Sequence, residues 1–233
     1  MHIVEFTAGS LRFLDAVPAA APADGFVWIY LDHAECPQHL PELQAAAQRL
    51  GGSALLDVHV KDLMSEAHPS HYDATSVYDR VIFRRLATLA EASVPAPGSP
   101  PAPQAPAAKA DVFSRIDSRA VGFAIFDHLL ISTHPAGCYT AVNYVQRFAA
   151  DARLSVDAAS ARNRVPQSPA DLVLRMVNTM VDSYLDLRKD LAAALEDAQN
   201  ELLRPEPDHD AWSTMMHARR RLHVLQDLCE EQQ

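Results

Sequence analysis

The chain has 233 residues, 48% of them hydrophobic and 21% charged, with a formal net charge of −10. That length accommodates one large domain, or one domain with an appendage, and the negative balance disfavours non-specific binding to nucleic acid. Cys36, Cys138 and Cys229 are scattered and form no C-x-x-C pair, which fits a reducing cytoplasm and argues against a disulfide framework or a structural zinc site.

In chain order, His2 to Phe6 and Leu11 to Leu14 predict two short strands around Ala8-Gly9-Ser10. Met1 to Phe6 is an immediate strand pattern rather than a signal peptide. Val17 to Asp24, rich in Ala and Pro, reads as a loop. Phe26 to Leu31 is a near-continuous apolar and aromatic run, which predicts a buried central strand ended by Asp32. Pro41 is expected to open a helix that Gly51-Gly52 closes. Ser53 is expected to cap a second helix carrying Leu55, Leu56, His59, Val60, Leu63 and Met64, broken by Pro69. Ser76 to Tyr78 and Val81 to Leu89 are strand-like, with Asp79-Arg80 as a bend between them.

Glu91 to Ala110 is a different material, with six prolines among Ala, Ser and Gly. It predicts a flexible, polyproline-like insert that cannot pack. Val121 to Phe126 and Leu129 to Thr133 flank Asp127-His128 and predict a β-hairpin. Tyr139 to Ala150 reads as a helix along Val142, Val145 and Phe148, and Arg153 to Gln167 as loop and short helix.

From Ser168 the pattern changes to pure helix. Ser168 can cap, Pro169 sits at the first helical position, and Asp171 favours the positive helix end. Val173, Val177, Met180, Tyr184, Leu187, Leu191, Ala194 and Ala198 then recur at alternating spacings of four and three, a heptad seam. Pro205 and Pro207 forbid continuation. A second seam follows along Met215, Ala218, Leu222, Leu225 and Cys229. The expected fold is therefore α/β: a mixed β-sheet sandwiched by helices (α/β/α) over residues 1–167, with a long C-terminal antiparallel helical stalk hairpin over 168–233. Between Asp182 and Asp210 nine Asp or Glu stand against three Lys or Arg, a solvated helix face or a cation-attracting one.

Catalytic motifs are missing from the sequence: no G-x-G-x-x-G, no G-x-x-x-x-G-K and no G-x-S-x-G. Enzymatic activity is not expected. His68-Pro69-Ser70-His71-Tyr72-Asp73 brings two imidazoles and a carboxylate close in sequence, with Pro69 preventing a shared helix face. His217 and His223 flank Arg219-Arg220-Arg221; six residues apart on a helix is poor geometry for one metal. The arginines read as partners for the acidic first stalk helix, or as a contact between protomers. No apolar run approaches the ~20 residues that cross a bilayer.

The order of these pieces resembles the cytoplasmic domain of the CorA-type divalent cation transporters, a group that includes the ZntB zinc transporters. Trp28-Ile29-Tyr30-Leu31-Asp32 resembles the family's W-I-D-L strand, and Val60-Lys61-Asp62-Leu63-Met64 its L-E-D-L-L segment. Tyr78 to Leu86 is similar to its Y-D-D-Y-L-F-L-V-L strand, and Phe126 to Ser132 to its G-N-x-L-I-T-V hairpin. Ser168-Pro169-Ala170-Asp171-Leu172 through Tyr184 is similar to S-P-D-x-L-L-x-x-I-x-D-x-x-V-D-x-Y. The resemblance implies a homopentameric funnel on the cytoplasmic side of a bacterial inner membrane, with transmembrane helices and a G-M-N signature beyond Gln233. It implies transport of magnesium, cobalt or nickel, with zinc as the alternative cargo. From another class, the same pattern suits a free-standing coiled-coil scaffold. Asp62 is the metal ligand carried over by the resemblance, shared in some members with a carboxylate on a neighbour's stalk. Lys61 departs from the family's acid at that place and would repel a dication.

Overall fold

The computed structural model describes residues 1–7, 10–87, 112–136, 141, 144–146, 148, 165–204 and 210–232. The Pro-rich insert expected at 91–110, Cys138, most of the helix expected at 139–150, the segment 153–164 and the prolines at 205 and 207 lie outside the described residues.

Among the described residues seven strands form one sheet in the order β2-β1-β3-β7-β6-β5-β4. They are β1 (His2–Thr7), β2 (Ser10–Leu14), β3 (Gly25–Asp32), β4 (His71–Ala74), β5 (Asp79–Leu86), β6 (Ser118–Ile125) and β7 (Leu129–His134). Strand β1 pairs antiparallel with both β2 and β3, and β3 runs parallel to β7. The sheet is therefore mixed, with hairpins at its flanks and a parallel pair at its centre. Gly25 is needed where β3 begins, because a Cβ there would lie 1.9 Å from the Phe6 carbonyl oxygen.

By contacts the chain divides into two compact units, residues 1–84 with 120–178, and residues 85–119 with 179–233. In the first unit the strand period of two sends Val27, Ile29, Leu31, Leu129 and Ile131 to one face. There they meet Leu43, Ala46, Ala47 and Leu50 of helix α1 (Cys36–Leu50) and Val60 and Leu63 of helix α2 (Asp57–Leu63). The alternate residues Phe26, Trp28 and Tyr30 occupy the other face. Phe6 stacks on Phe26 at 4.7 Å between ring centroids and meets Phe148 edge-on at 6.3 Å. Ala141, Tyr144, Val145 and Phe148 are helical and buried, and the Tyr144 hydroxyl donates to the Arg175 carbonyl at 2.7 Å.

Helix α3 (Pro169–Leu202) is 34 residues long. Its start follows the expected cap: the Asp171 N–H donates to Ser168 Oγ at 3.1 Å, and the Gln167 N–H to Asp171 Oδ2 at 3.1 Å. Its first turns bury Leu172 and Met176 as well as Val173 and Met180, a wider face than the heptad seam alone. In the second unit Leu187 and Leu191 of α3 pack with Leu86, Phe113, Ile116 and the Ala218 and Leu228 of helix α4 (Ala211–Glu230).

Three local expectations are corrected. Helix α1 starts at Cys36, with Pro37 in its first turn and Pro41 inside it; the Gln38 and His39 N–H groups already bond the Glu35 carbonyl, so the turn is nucleated upstream of Pro41. Helix α2 starts at Asp57, because Ser53 donates to the adjacent Ala54 carbonyl rather than capping. The strand expected at 76–78 is instead a turn, where Thr75 Oγ1 accepts the Val77 and Tyr78 N–H groups at 3.2 and 2.9 Å. The strands lie on either side, at 71–74 and 79–86.

Candidate functional site

Asp62 stands near the end of α2, a helix held on the sheet by Val60 and Leu63. Helical spacing then turns Lys61 to solvent and leaves Asp62 partly covered. The Asp62 Oδ2 atom accepts a hydrogen bond from the Arg80 guanidinium of β5. Arg80 is buried, and its other amine lies 3.7 Å from Asp73 Oδ2 of β4. One buried cation is thus flanked by two carboxylates that reach water, an arrangement that keeps the guanidinium charged and compensated.

A hydrogen-bonded chain continues from Asp73. His59 of α2 is buried, with Nε2 3.1 Å from Asp73 Oδ2 and Nδ1 2.8 Å from the Tyr78 hydroxyl. The Asp73 carboxylate only accepts, so His59 donates to it through Nε2, and the Tyr78 hydroxyl, which also accepts the Leu56 N–H at 3.0 Å, is the partner of Nδ1. Both imidazole nitrogens of His59 are therefore committed inside the fold.

On the solvent side of Asp62 lies the loop from Ser65 to Ser70. Arg84 fastens it: one guanidinium nitrogen donates to the carbonyls of Glu66 and His68 at 3.0 and 2.9 Å, and the Arg84 N–H bonds Ser70 Oγ at 3.1 Å. The loop holds His68 with Nε2 3.6 Å from Asp62 Oδ1. The His71 ring lies 6.2 Å from that of His68, centroid to centroid. No group of three or more His, Cys, Asp or Glu side chains among the described residues is arranged to hold a metal ion as it stands.

A second layer of polar groups sits inside the sheet. Trp28 Nε1–H donates to Ser132 Oγ at 2.8 Å, and that hydroxyl is 2.8 Å from His134 Nε2. His33, just beyond β3, is buried with no hydrogen-bond partner at either ring nitrogen. Burial first, and the neighbouring His134 second, push its pKa down to about 4 against the opposing pull of Glu66 and of the nearby Thr133 backbone. Burial pushes the Cys36 thiol up to about 11, which makes it unreactive.

A cavity of about 580 Å³ opens where β1 ends and β3 begins, with Asp24, Asp127 and His128 at its rim and Ser168 beside it. At the α3 amino end there, Ser168 Oγ accepts the Asp171 N–H and the Asp171 carboxylate accepts the Gln167 N–H.

In the second unit the arginine triplet separates by role. Arg221 turns inward and donates to the carbonyls of Phe113 and Ile116, whereas Arg219 and Arg220 are exposed. Asp190 of α3 pairs with Arg115 rather than with the triplet. Sequence reading gave Asp62, His68 and His71 as candidates; it did not anticipate Arg80, read as a bend, or the His59–Tyr78–Asp73 chain.

No protein-family model matches the chain, and no curated protein matches it. Among solved structures it is similar to the full-length CmaX protein, with a TM-score of 0.64 at 16% identity over 100% of this chain and 60% of that one. It is similar also to the CorA magnesium transporter of Methanocaldococcus jannaschii, with a TM-score of 0.62 at 12% identity over 97% of this chain and 58% of that one. The chain thus has the fold found in these proteins and spans about three fifths of their length.

Proposed function

We propose that the chain is the cytoplasmic domain of a CorA-type divalent cation transporter, with magnesium as the cation carried. The observation that carries the reading is that one fold alignment covers the entire chain, mixed sheet and helical hairpin together, at a TM-score of 0.64, and a second covers 97% of it on a magnesium transporter. Residues 1–167 would form the α/β/α domain and 168–233 the stalk helices. Among the described residues no helix is long and apolar enough to cross a membrane, so the membrane-embedded part in this reading lies in other residues. Self-association, placement on the cytoplasmic face of a membrane and a role without catalysis belong to the same proposal, as does assembly into pentamers.

Asp62 is the carboxylate proposed to face a regulatory divalent cation. Its bond to Arg80 sets an expectation: a guanidinium already balances that charge, so a hard cation binding through Asp62 alone binds weakly, in the millimolar range of exposed oxygen sites. The test is to purify the complete gene product, reconstitute it in liposomes and follow magnesium with an entrapped dye. Magnesium entry along its gradient supports the reading. Entry of zinc without magnesium turns it into the zinc carrier, and a complete protein that stays soluble with no flux overturns it in favour of a scaffold.

A further inference from the structure

We propose that Asp62, His68 and His71 form a three-ligand site for a divalent cation of the zinc class, closed by rotation of the exposed His71 ring. The inference concerns a single copy of the chain and does not depend on the transporter reading.

The starting point is His68. Its Nδ1 lies 2.8 Å from the Pro69 carbonyl oxygen. A carbonyl only accepts, so Nδ1 carries the proton and, in the neutral ring, the lone pair resides on Nε2. That nitrogen lies 3.6 Å from Asp62 Oδ1. Two acceptors are thus close neighbours, a placement that a second ring proton or a metal ion between them would favour. The separation suits the latter. Nitrogen and oxygen ligands at zinc bond lengths on a tetrahedral ion are about 3.4 Å apart.

The supporting contacts are those that metal ligands need. An imidazole ligand is commonly oriented by a carbonyl accepting its other N–H, as Pro69 does for His68. Asp62 Oδ2 is engaged by Arg80, which fixes the carboxylate and leaves Oδ1 toward His68. Arg84 fastens the loop backbone at Glu66 and His68. The third ligand is set less firmly. Two imidazoles on one tetrahedral ion have ring centroids roughly 5 Å apart, against 6.2 Å for His68 and His71. His71 is exposed at the first position of β4, an edge strand, so its ring can turn without disturbing the core.

The donor set chooses the ion. Magnesium requires carboxylate charge and oxygen ligands, and the charge of Asp62 is already matched by Arg80. Two neutral imidazoles with one carboxylate suit zinc, cobalt or nickel, with solvent in the remaining position. Lys61 is exposed, so its ammonium is screened by water and salt.

The test is calorimetry with zinc and with magnesium on the chain as it stands, joined by visible absorption with cobalt, whose bands report coordination geometry. Expected are micromolar zinc binding that millimolar magnesium does not displace, and a tetrahedral cobalt spectrum. His68→Ala and His71→Ala should each weaken zinc by at least the about tenfold that loss of an outer-sphere partner costs. His223→Ala, on α4, should change nothing. Asp62→Asn should weaken zinc too, but it disturbs Arg80, so the two histidine variants decide the matter. Zinc affinity unchanged in the His68→Ala/His71→Ala double variant overturns the site. So does the absence of micromolar zinc binding, which would leave a proton as the only bridge between His68 and Asp62.

Discussion

The buried Arg80 guanidinium donates to the Asp62 carboxylate at the edge of water, tying the last turn of α2 to strand β5. Removing one partner of a fully buried pair costs about 3–5 kcal/mol, because the other charge remains desolvated. Asp62 keeps 22% of its side chain exposed, and Asp73 stands 3.7 Å from Arg80 as a second acid. Asp62→Ala is therefore expected to cost less, about 2 kcal/mol. Arg80→Met, which removes the buried charge itself, should cost less again, and Asp62→Leu/Arg80→Met should recover most of the loss. Urea melts of the four proteins check this. Asp62→Ala as stable as the parent would show that Asp73 alone satisfies Arg80.

That pairing shows where sequence reading stops. Strand β3 was legible because six consecutive apolar residues from Phe26 leave no polar face, and α3 because its apolar residues keep a heptad period over eight positions. Strand β4 was not: His71-Tyr72-Asp73-Ala74 has neither alternation nor a hydrophobic run. It is a strand only because β5 pairs with it, His71 opposite Ile82 and Asp73 opposite Arg80. The partner of Asp62 lies 18 residues away on that same hairpin, so no local pattern announces it. His68 and His71 could be named together from their spacing; their nearness to Asp62 depends on a loop fastened by Arg84.

Ser132 is the relay between two buried rings. Its hydroxyl accepts from Trp28 and is within 2.8 Å of His134 Nε2. Ser132→Ala leaves the buried indole N–H without that acceptor, which is expected to cost about 1–3 kcal/mol. In a Trp28→Phe background there is no indole donor to strand, so the same serine change should cost less. A double-mutant cycle measures the coupling, expected at about 1 kcal/mol. Additive losses would show that the serine acts through packing alone.

The arginine triplet of α4 should divide in the same kind of measurement. Arg221 satisfies two carbonyls of the 3-10 turn at Val112–Arg115 and just after it, beneath the second core. Arg221→Ala is expected to lose about 1–3 kcal/mol. Arg219→Ala and Arg220→Ala, at exposed positions, should stay within about 0.5 kcal/mol of the parent. Equal losses at all three would mean that the exposed pair is buried by self-association under the conditions used, and dilution would then restore the difference.

His33 gives the fold a dependence on acidity with a defined sign. Its pKa stands at about 4 in the folded chain against an ordinary 6.5, because burial opposes the charged ring and the neighbouring His134 adds to that. The unfolded chain therefore binds this proton first as pH falls. Stability from the neutral ring is complete above about pH 6.5, declines through the interval, and is lost once pH passes below about 4. The full loss is on the order of 3 kcal/mol. His33→Leu keeps a similar volume and cannot take up the proton, so its melting temperature should fall less than the parent's between pH 7 and pH 4.5. His134 is close enough to His33 to depress its pKa; His134→Asn removes that charge, lets the folded pKa rise toward the ordinary value, and should therefore move the parent's acid transition to slightly lower pH. Identical pH profiles for the parent and His33→Leu would show that His33 is hydrated in solution and that other groups set the acid limit of the fold.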